Sequence, residues 1–379
     1  MMVKFITAAF ILFLSSCSIL RSSITTENKL EAEIELLRKK FNVPGASIAI
    51  IDNSKIVDLW PFGLANIEKK IPVTKHSLFQ ACSITKTLTS ALVLKLLAEK
   101  KISLDSPANY WLRRWKIPGP YADKVTIRML LNHTAAISNP YPDGGKLHVS
   151  KIATLPEHFL GLPPAVNPPL TVLYEPGAKF SYCNGCYAIL QMLVEDLSGE
   201  DYPKLMSEKF LDPLAMAGST FDHNLLDDPK PNIALNYDDN LKPHPPIRKM
   251  PIYATGSLTT TARDLAIFLR SIQEALQNNP RTILTHEQAL LMVEPSSSPT
   301  RALGFFIGNK FGDEEKGGKY FFHAGQNVGY LALLIGSLDG KVGAVVLINI
   351  SSPWDAKDFP HFKFIMAAIK AIASYYNWQ

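Results

Sequence analysis

Ser83-Ile84-Thr85-Lys86 is the stretch on which the reading of this 379-residue chain turns. Apolar residues follow at helical spacing (Ile84, Leu88, Leu92, Leu96, Leu97), so the serine falls at or near a helix N-terminus, with the lysine one turn on and on the same face. Serine is a poor nucleophile at neutral pH and needs a neighbouring base that has lost its own proton. A buried lysine in the positive field of a helix N-terminus gives up its proton readily, and the unpaired backbone N–H groups there favour a developing oxyanion. The motif alone also describes a surface serine followed by a solvated lysine, so the rest of the chain must carry the argument.

Two later stretches add to it. Tyr182 follows Pro176-Gly177 and the extended piece Lys179-Phe180-Ser181, and it precedes a helix expected from about Tyr187 to Leu197, stopped by Ser198-Gly199. A phenol at such a corner can project into a cleft and shuttle a proton to a leaving group; its bland alternative is a buried tyrosine with a satisfied hydroxyl. The other Tyr-x-Asn, Tyr375-Tyr376-Asn377, lies at the chain end, a poor place to hold catalytic geometry. His323-Ala324-Gly325 ends the strand-like run Lys319 to Phe322. Its small residues let a substrate backbone lie against a strand edge, and the N–H of Gln326 can complete an oxyanion pair.

The two chain ends read as β structure. Ala46–Ile51 and Ile56–Trp60 flank Asp52-Asn53-Ser54, while Tyr330–Ile335 and Val342–Ile350 flank Asp339-Gly340, giving two hairpins. Helical spacing marks Lys29–Phe41 and about Trp354–Tyr376. The middle is mostly helical and punctuated by prolines, above all over 139–176, expected as a loop-rich wall or lid, with a second irregular stretch over 227–251. The expected fold class is α+β: an antiparallel sheet from both ends of the chain, flanked by terminal helices, with a helical subdomain inserted over about 105–250.

Composition removes other classes. With 47% hydrophobic residues the chain can bury a full core. Thirty-nine basic residues against 34 acidic give +5, and the basic runs (Arg38-Lys39-Lys40, Lys69-Lys70, Lys100-Lys101) are too short for a nucleic-acid footprint. No histidine spacing such as HExxH appears, so neither a metal nor another cofactor is expected. Residues 1–16 have the shape of a secretory leader, with Lys4 before an apolar stretch from Phe5 to Leu14, and Leu14-Ser15-Ser16-Cys17 resembles the bacterial lipobox. The expectation is lipidation at Cys17, a tether over 17–27, and a body over 28–379 facing the periplasm, meeting the membrane only through its anchor. With Cys17 acylated, Cys82, Cys183 and Cys186 remain. No second CxxC completes a zinc site, and all three are expected as small, packed, inert thiols rather than redox or metal groups.

In order and spacing these elements resemble the serine β-lactamase and penicillin-binding-protein superfamily, more specifically the class C β-lactamase-like serine hydrolases. The resemblance spans roughly 28–379 and includes Leu78-Phe79-Gln80-Ala81-Cys82-Ser83, Thr126 to Thr134 (TIRMLLNHT), Glu175 to Tyr182 (EPGAKFSY), Asp212-Pro213-Leu214 and Thr261-Ala262-Arg263-Asp264-Leu265. It implies Ser83 as the acylated nucleophile, Lys86 as its base, Tyr182 as proton shuttle and deacylation helper, Asn184 as a polar substrate contact, and an oxyanion hole from the N–H groups of Ser83 and Gln326. His133 would be structural. The sequence departs from the pattern at Ala136 and Cys186, where glycine is usual, and at His323, where β-lactamases carry lysine. A histidine is mostly neutral at pH 7, so the third motif, with His323 and Gly325 as substrate contacts, lacks a permanent cation for a β-lactam or C-terminal carboxylate. Members with HxG resemble D-aminopeptidases and esterases. The expected activity is therefore hydrolysis of a small-molecule or peptide substrate, an ester or peptide-like amide. The alternatives are a β-lactamase or D-alanyl-D-alanine carboxypeptidase, or an envelope lipoprotein that binds without turnover.

Overall fold

The computed structural model describes residues 29–139, 152–222, 232–245, 251–309, 318–353 and 359–378. The expected leader, Cys17 and the expected tether lie outside these, as do parts of the two irregular stretches and the first turns expected for the C-terminal helix.

A seven-stranded antiparallel sheet forms from both ends of the chain, in the order β3-β2-β1-β9-β8-β7-β6. β1 (Gly45–Asp52) and β2 (Lys55–Asn66) make the first hairpin, turning at Asn53 and Ser54 with φ 47° and 60°, the left-handed pair that a two-residue hairpin demands. β8 (Tyr330–Ser337) and β9 (Gly343–Ile348) make the second, with Gly340 at φ 77°. Short β3 (Ile71–Pro72) and β6 (Phe306–Gly308) form the edges, and β7 (Tyr320–Asn327) lies between β6 and β8. The two ends join where β1 pairs with β9, from Ala46↔Ile348 to Ile51↔Gly343. Asn349 locks this seam: its Oδ1 accepts from Gly45 N at 2.7 Å and its Nδ2 donates to Leu64 O and Leu235 O at 3.2 and 3.0 Å.

Alternation along the strands sends side chains to two faces. Ile48, Ile50, Val346 and Ile348 pack toward the terminal helices α1 (29–40) and α10 (Pro360–Tyr375), with Ile34, Phe364, Ile365 and Ile369. Ala49, Ile51, Val345 and Leu347 face the helical body. Both faces being covered, these strands read as continuous apolar runs. Each fully buried Ile or Val contributes roughly 1.5–3 kcal/mol.

The helical body centres on α2 (Thr85–Lys100), buried on nearly every side from Thr85 to Leu97. Its threonines satisfy their hydroxyls on nearby carbonyls, Thr85 on Cys82 O and Thr87 on Ile84 O. Around it stand α3 (Ala108–Trp111), α4 (Ile127–Leu131), α5 (Leu155–Leu160), α6 (Asn184–Ser198), α7 (Tyr202–Met206), α8 (Ala262–Leu276) and α9 (His286–Val293). A two-stranded pair, β4 (Phe79–Gln80) with β5 (Thr259–Thr260), ties the chain before α2 to that before α8.

Three expectations are corrected. α6 begins at Asn184 rather than Tyr187, because Cys183 caps it: the Cys186 N–H donates to Cys183 Sγ at 2.8 Å. His323-Ala324-Gly325 lies inside β7 instead of ending a strand, since β8 extends the ladder to Asn327↔Tyr330. Cys183 and Cys186 are not free thiols but a disulfide. The first turn of the helix sets their Cα atoms 5.3 Å apart, inside bonding range. Cys82 alone behaves as expected, a buried free thiol that burial keeps protonated.

Candidate active site

Ser83 sits on one 3₁₀ turn, Cys82–Ile84, that runs directly into α2. The turn is bent at Cys82, whose φ of 52° is left-handed and costs a non-glycine residue roughly 1–2 kcal/mol. Surrounding bonds hold it there: Ala81 N donates to Leu258 O at 2.8 Å, and Thr85 Oγ1 to Cys82 O at 2.7 Å. Ser83 is thereby only partly buried between two buried neighbours.

Lys86 lies beneath it, fully buried. Its Nζ donates to Ser83 Oγ at 3.1 Å and to Thr255 O at 2.5 Å, and stands 5.1 and 5.7 Å from the ring centroids of Tyr182 and Tyr187. Among the described residues no carboxylate pairs with it. Burial therefore lowers its pKa to about 7, against a smaller opposing pull from the Cys82 sulfur. About half of such amines are neutral at pH 7 and can accept a hydroxyl proton.

Tyr182 follows the opposite course. Burial raises its pKa, opposed by a hydrogen bond with the Ser83 side chain, so it stays a phenol. Of the two groups beside Ser83, only the amine is able to act as base near neutrality. The phenol is held by rings: His133 lies 4.6 Å from it, centroid to centroid, and 5.2 Å from Tyr187. His133 Nδ1 accepts from Cys183 N at 3.1 Å, and Tyr187 OH donates to Leu131 O at 3.0 Å and meets Ser90 Oγ at 2.9 Å. Burial, with Lys86 and His323 adding to it, drives the His133 pKa well below its usual value, so the ring is neutral. Asn184 opens α6 two residues after Tyr182 and is partly buried.

The opposite wall is β7. β6 pairs with it only as far as Phe306↔Phe322, so from His323 onward that edge has, among the described residues, no strand beside it. Gly325 backs onto the nucleophile turn: a Cβ built there would stand 2.6 Å from Ala81 O and 2.9 Å from Ser83 N. His323 is 2% exposed, its Nδ1 2.6 Å from Ala324 O. Burial, then the Lys86 charge, lowers its pKa to about 3, leaving it neutral. The Gln326 side chain turns away, Nε2 donating to Ser352 O at 2.8 Å, while its backbone follows Gly325 on the same strand.

Ser83, Lys86 and Tyr182, some hundred residues apart in part, thus meet in one cluster, with Gly325 against it and His323 and Gln326 on the same strand. Sequence reasoning missed three contributors. Thr255 anchors Lys86 through a backbone carbonyl, which no side-chain motif announces. Asn327 Nδ2 donates to Gln80 Oε1 at 2.7 Å and Gly256 O at 3.0 Å, tying β7 to the loop carrying Thr255. Arg301 packs its guanidinium 4.5 Å from the ring centroids of both Phe180 and Phe306. His133, read as structural, has its ring against Tyr182. Among the described residues no group of three or more His, Cys, Asp or Glu is gathered as for a metal, and no helix is long and apolar enough to cross a membrane.

Comparison with known proteins gives a consistent picture. The family described as Beta-lactamase matches residues 30–364. Protein flp of Staphylococcus aureus (strain MRSA252) is 22% identical over 350 residues, covering 89% of this chain and 65% of flp. The chain thus spans just under two thirds of the length of that relative. A D-aminopeptidase of Gluconobacter oxydans (strain 621H) is 27% identical over 192 residues, 50% of this chain and 34% of the aminopeptidase. Among solved structures, the octameric penicillin-binding protein homologue from Pyrococcus abyssi superposes with a TM-score of 0.73 at 25% identity, covering 92% of this chain and 77% of its own. The penicillin-binding protein from Bacillus halodurans shares the fold, with a TM-score of 0.71 at 18% identity over 89% of this chain and 99% of that one.

Proposed function

This chain belongs to the beta-lactamase family, within the β-lactamase-like serine hydrolase superfamily, and from that premise we propose that it cleaves an ester or peptide-like amide through an acyl-enzyme on Ser83. One observation carries the reading: a fully buried lysine with a pKa near 7 in hydrogen-bond contact with a serine on a left-handed turn.

In this mechanism neutral Lys86 takes the hydroxyl proton as Ser83 Oγ bonds to the substrate carbonyl carbon. The oxyanion so formed is held by the N–H groups of Ser83 and Gln326 at the open edge of β7. As the tetrahedral adduct collapses, the bond to the leaving group breaks and that group takes the proton back from Lys86, relayed by the Tyr182 phenol. Water, deprotonated by the same pair, then attacks the acyl carbon and frees Ser83. Asn184 contacts the substrate beside Tyr182. The neutral third-motif histidine and the partial likeness to a D-aminopeptidase support esters and D-amino-acid amides over efficient β-lactam hydrolysis.

A fluorophosphonate probe tests the reading on the full chain. Labelling that disappears in Ser83→Ala supports it; a folded protein that takes no label favours a binding lipoprotein. The leader and Cys17 further support an envelope address facing the periplasm, checked by incorporation of labelled palmitate and its loss in Cys17→Ser.

A further inference from the structure

An oxyanion pair asks more of Gln326 than of Ser83. Ser83 N is carried by its own bonded turn, whereas Gln326 lies on a strand that, past Phe322 and among the described residues, is paired only with β8. A donor in a preorganised site has to be held to within about 0.5 Å. The groups that can hold this one come from the segment that follows β9.

Two consecutive serines of that segment grip the end of β7. Ser351 Oγ donates to Asn327 O at 2.9 Å and accepts from Gly329 N at 2.9 Å. The Ser352 carbonyl accepts from Gln326 Nε2 at 2.8 Å. The side chain of Gln326 is thereby tied down, and its own N–H can turn only as far as that anchor allows.

The anchor is itself built from three remote pieces of chain. Ser352 and His361, the second residue of α10, are both buried, while Asp239 is exposed on the loop over 236–244. Ser352 Oγ donates to Asp239 Oδ1 at 3.1 Å, and His361 Nδ1 stands 3.3 Å from the same Oγ and 3.6 Å from the same Oδ1. A carboxylate only accepts and a hydroxyl has one hydrogen, so the ring proton belongs on Nδ1, directed at Ser352 and Asp239. Burial, against the pull of Asp239, lowers the His361 pKa, so the ring is neutral at pH 7. Nδ1 then has no lone pair to take the Ser352 proton, and the cluster is a brace rather than a second nucleophile with its base. The loop is tied in as well: Tyr237 N donates to Asn349 O at 3.1 Å, and Asn236 Nδ2 to Val328 O at 3.0 Å.

We propose that His361 is a positioning residue for the oxyanion hole, acting through Ser352 and the Gln326 side chain on the Gln326 N–H. This rests on the hydrolase reading above and adds to it the device that aims one of its two donors. A ground-state carbonyl needs that aim far less than the oxyanion does, so the device acts on the chemical steps and not on binding.

The full chain tests this with 4-nitrophenyl butyrate, which gives kcat and KM, and with butyl trifluoromethyl ketone, which Ser83 converts to a hemiketal whose oxyanion occupies the hole and which gives Ki. His361→Leu and Gln326→Met should each lower kcat about tenfold with KM within about threefold of wild type, and raise Ki about tenfold. Because the two act in series, the double variant should lose no more than Gln326→Met alone. His361→Asn, whose amide can donate from the place of Nδ1, should recover most of the kcat. Losses that add in the double variant, that fall on KM with Ki unchanged, or that His361→Asn does not relieve, overturn the proposal and leave His361 as packing for α10. If His361→Leu does not fold, Asp239→Ala, at an exposed partner of the same Ser352 hydroxyl, takes its place in the cycle, with Asp239→Asn as the conservative variant and the same outcomes deciding. Absence of any Ser83-dependent turnover in wild type would instead remove the hydrolase reading, and this inference with it.

Discussion

Gly325 and Ser83 touch through their backbones: a single methyl on the glycine would stand 2.9 Å from the serine amide nitrogen. The third motif needs a glycine because β7 and the nucleophile turn share this space. Ala81 O at 2.6 Å and Cys82 Cβ at 2.8 Å close it from the other side, and neither is the end of a flexible chain. Gly325→Ala should therefore push the turn off β7 and misplace Ser83 by up to about 1 Å. We expect fluorophosphonate labelling to slow by about a hundredfold, as small misplacements do in preorganised sites. A labelling rate within threefold of wild type would show that the strand and the turn do not work as one unit.

The Lys86 pKa near 7 fixes a pH profile. Below that value log kcat/KM should rise with unit slope, then flatten. His323, lowered to about 3, stays uncharged between pH 5 and 8 and should add no second inflection there, and burial holds the His133 ring well below its usual value, so it too is neutral at pH 7. Stability follows the same group. Unfolded, the amine holds its proton to about pH 10.5, while in the fold it releases it near 7. Between the two the unfolded chain binds the extra proton, so stability rises with pH across that window. Chemical denaturation at pH 6.5 and 9.5 should show this gain in wild type and not in Lys86→Met.

Tyr182→Phe leaves the base in place but removes the proton relay. Acylation by an activated ester, whose leaving group needs no proton, should fall least, and turnover of an amide should fall by about 10²–10⁴-fold. Rapid-quench measurement of the acyl-enzyme separates the steps. Equal losses on both substrates would assign the phenol to packing.

Peptide mapping without reductant should recover Cys183 and Cys186 in one fragment lacking two hydrogens, with Cys82 alkylated only after unfolding. The bridge closes a very short loop, so its removal in Cys183→Ala/Cys186→Ala should cost roughly 2 kcal/mol by the loop-entropy account. Urea midpoints read this directly.

Asn349→Leu strips three partners at the seam of the sheet: the Gly45 N–H and the carbonyls of Leu64 and Leu235. Each buried group left unmade costs about 1–3 kcal/mol. We expect loss of several kcal/mol in thermal or urea unfolding, far beyond what the added apolar contact returns.

Much of the fold was legible because its signals are local. Asn53-Ser54 and Asp339-Gly340 announce hairpins, and the run after Ser83 announces α2. Ala136 was singled out as standing where glycine is usual, and its φ of 57° shows why, since the backbone there is left-handed. What stayed hidden acts at a distance or without a side chain. The carbonyl of Thr255 reaches Lys86 from 169 residues away, delivered by the β4–β5 pair. Arg301 carries no motif at all, and only the fold shows its guanidinium against Phe180 and Phe306. The Cys183–Cys186 bridge escapes the sequence reading because the lack of a second CxxC speaks only against a metal site, whereas one helical turn brings the two sulfurs together.

The seam between β1 and β9 has a bearing on the order of assembly. Ala46 pairs with Ile348, so the seam closes only after the segment carrying β9 has been made. Gly325 of β7, which backs onto the nucleophile turn, likewise lies far downstream of Ser83 and Lys86, so the two walls of the site come from opposite ends of the sheet's chain order. We expect the amine to keep its ordinary proton until that far wall has docked, so a fragment that stops short of β7 should take no fluorophosphonate label.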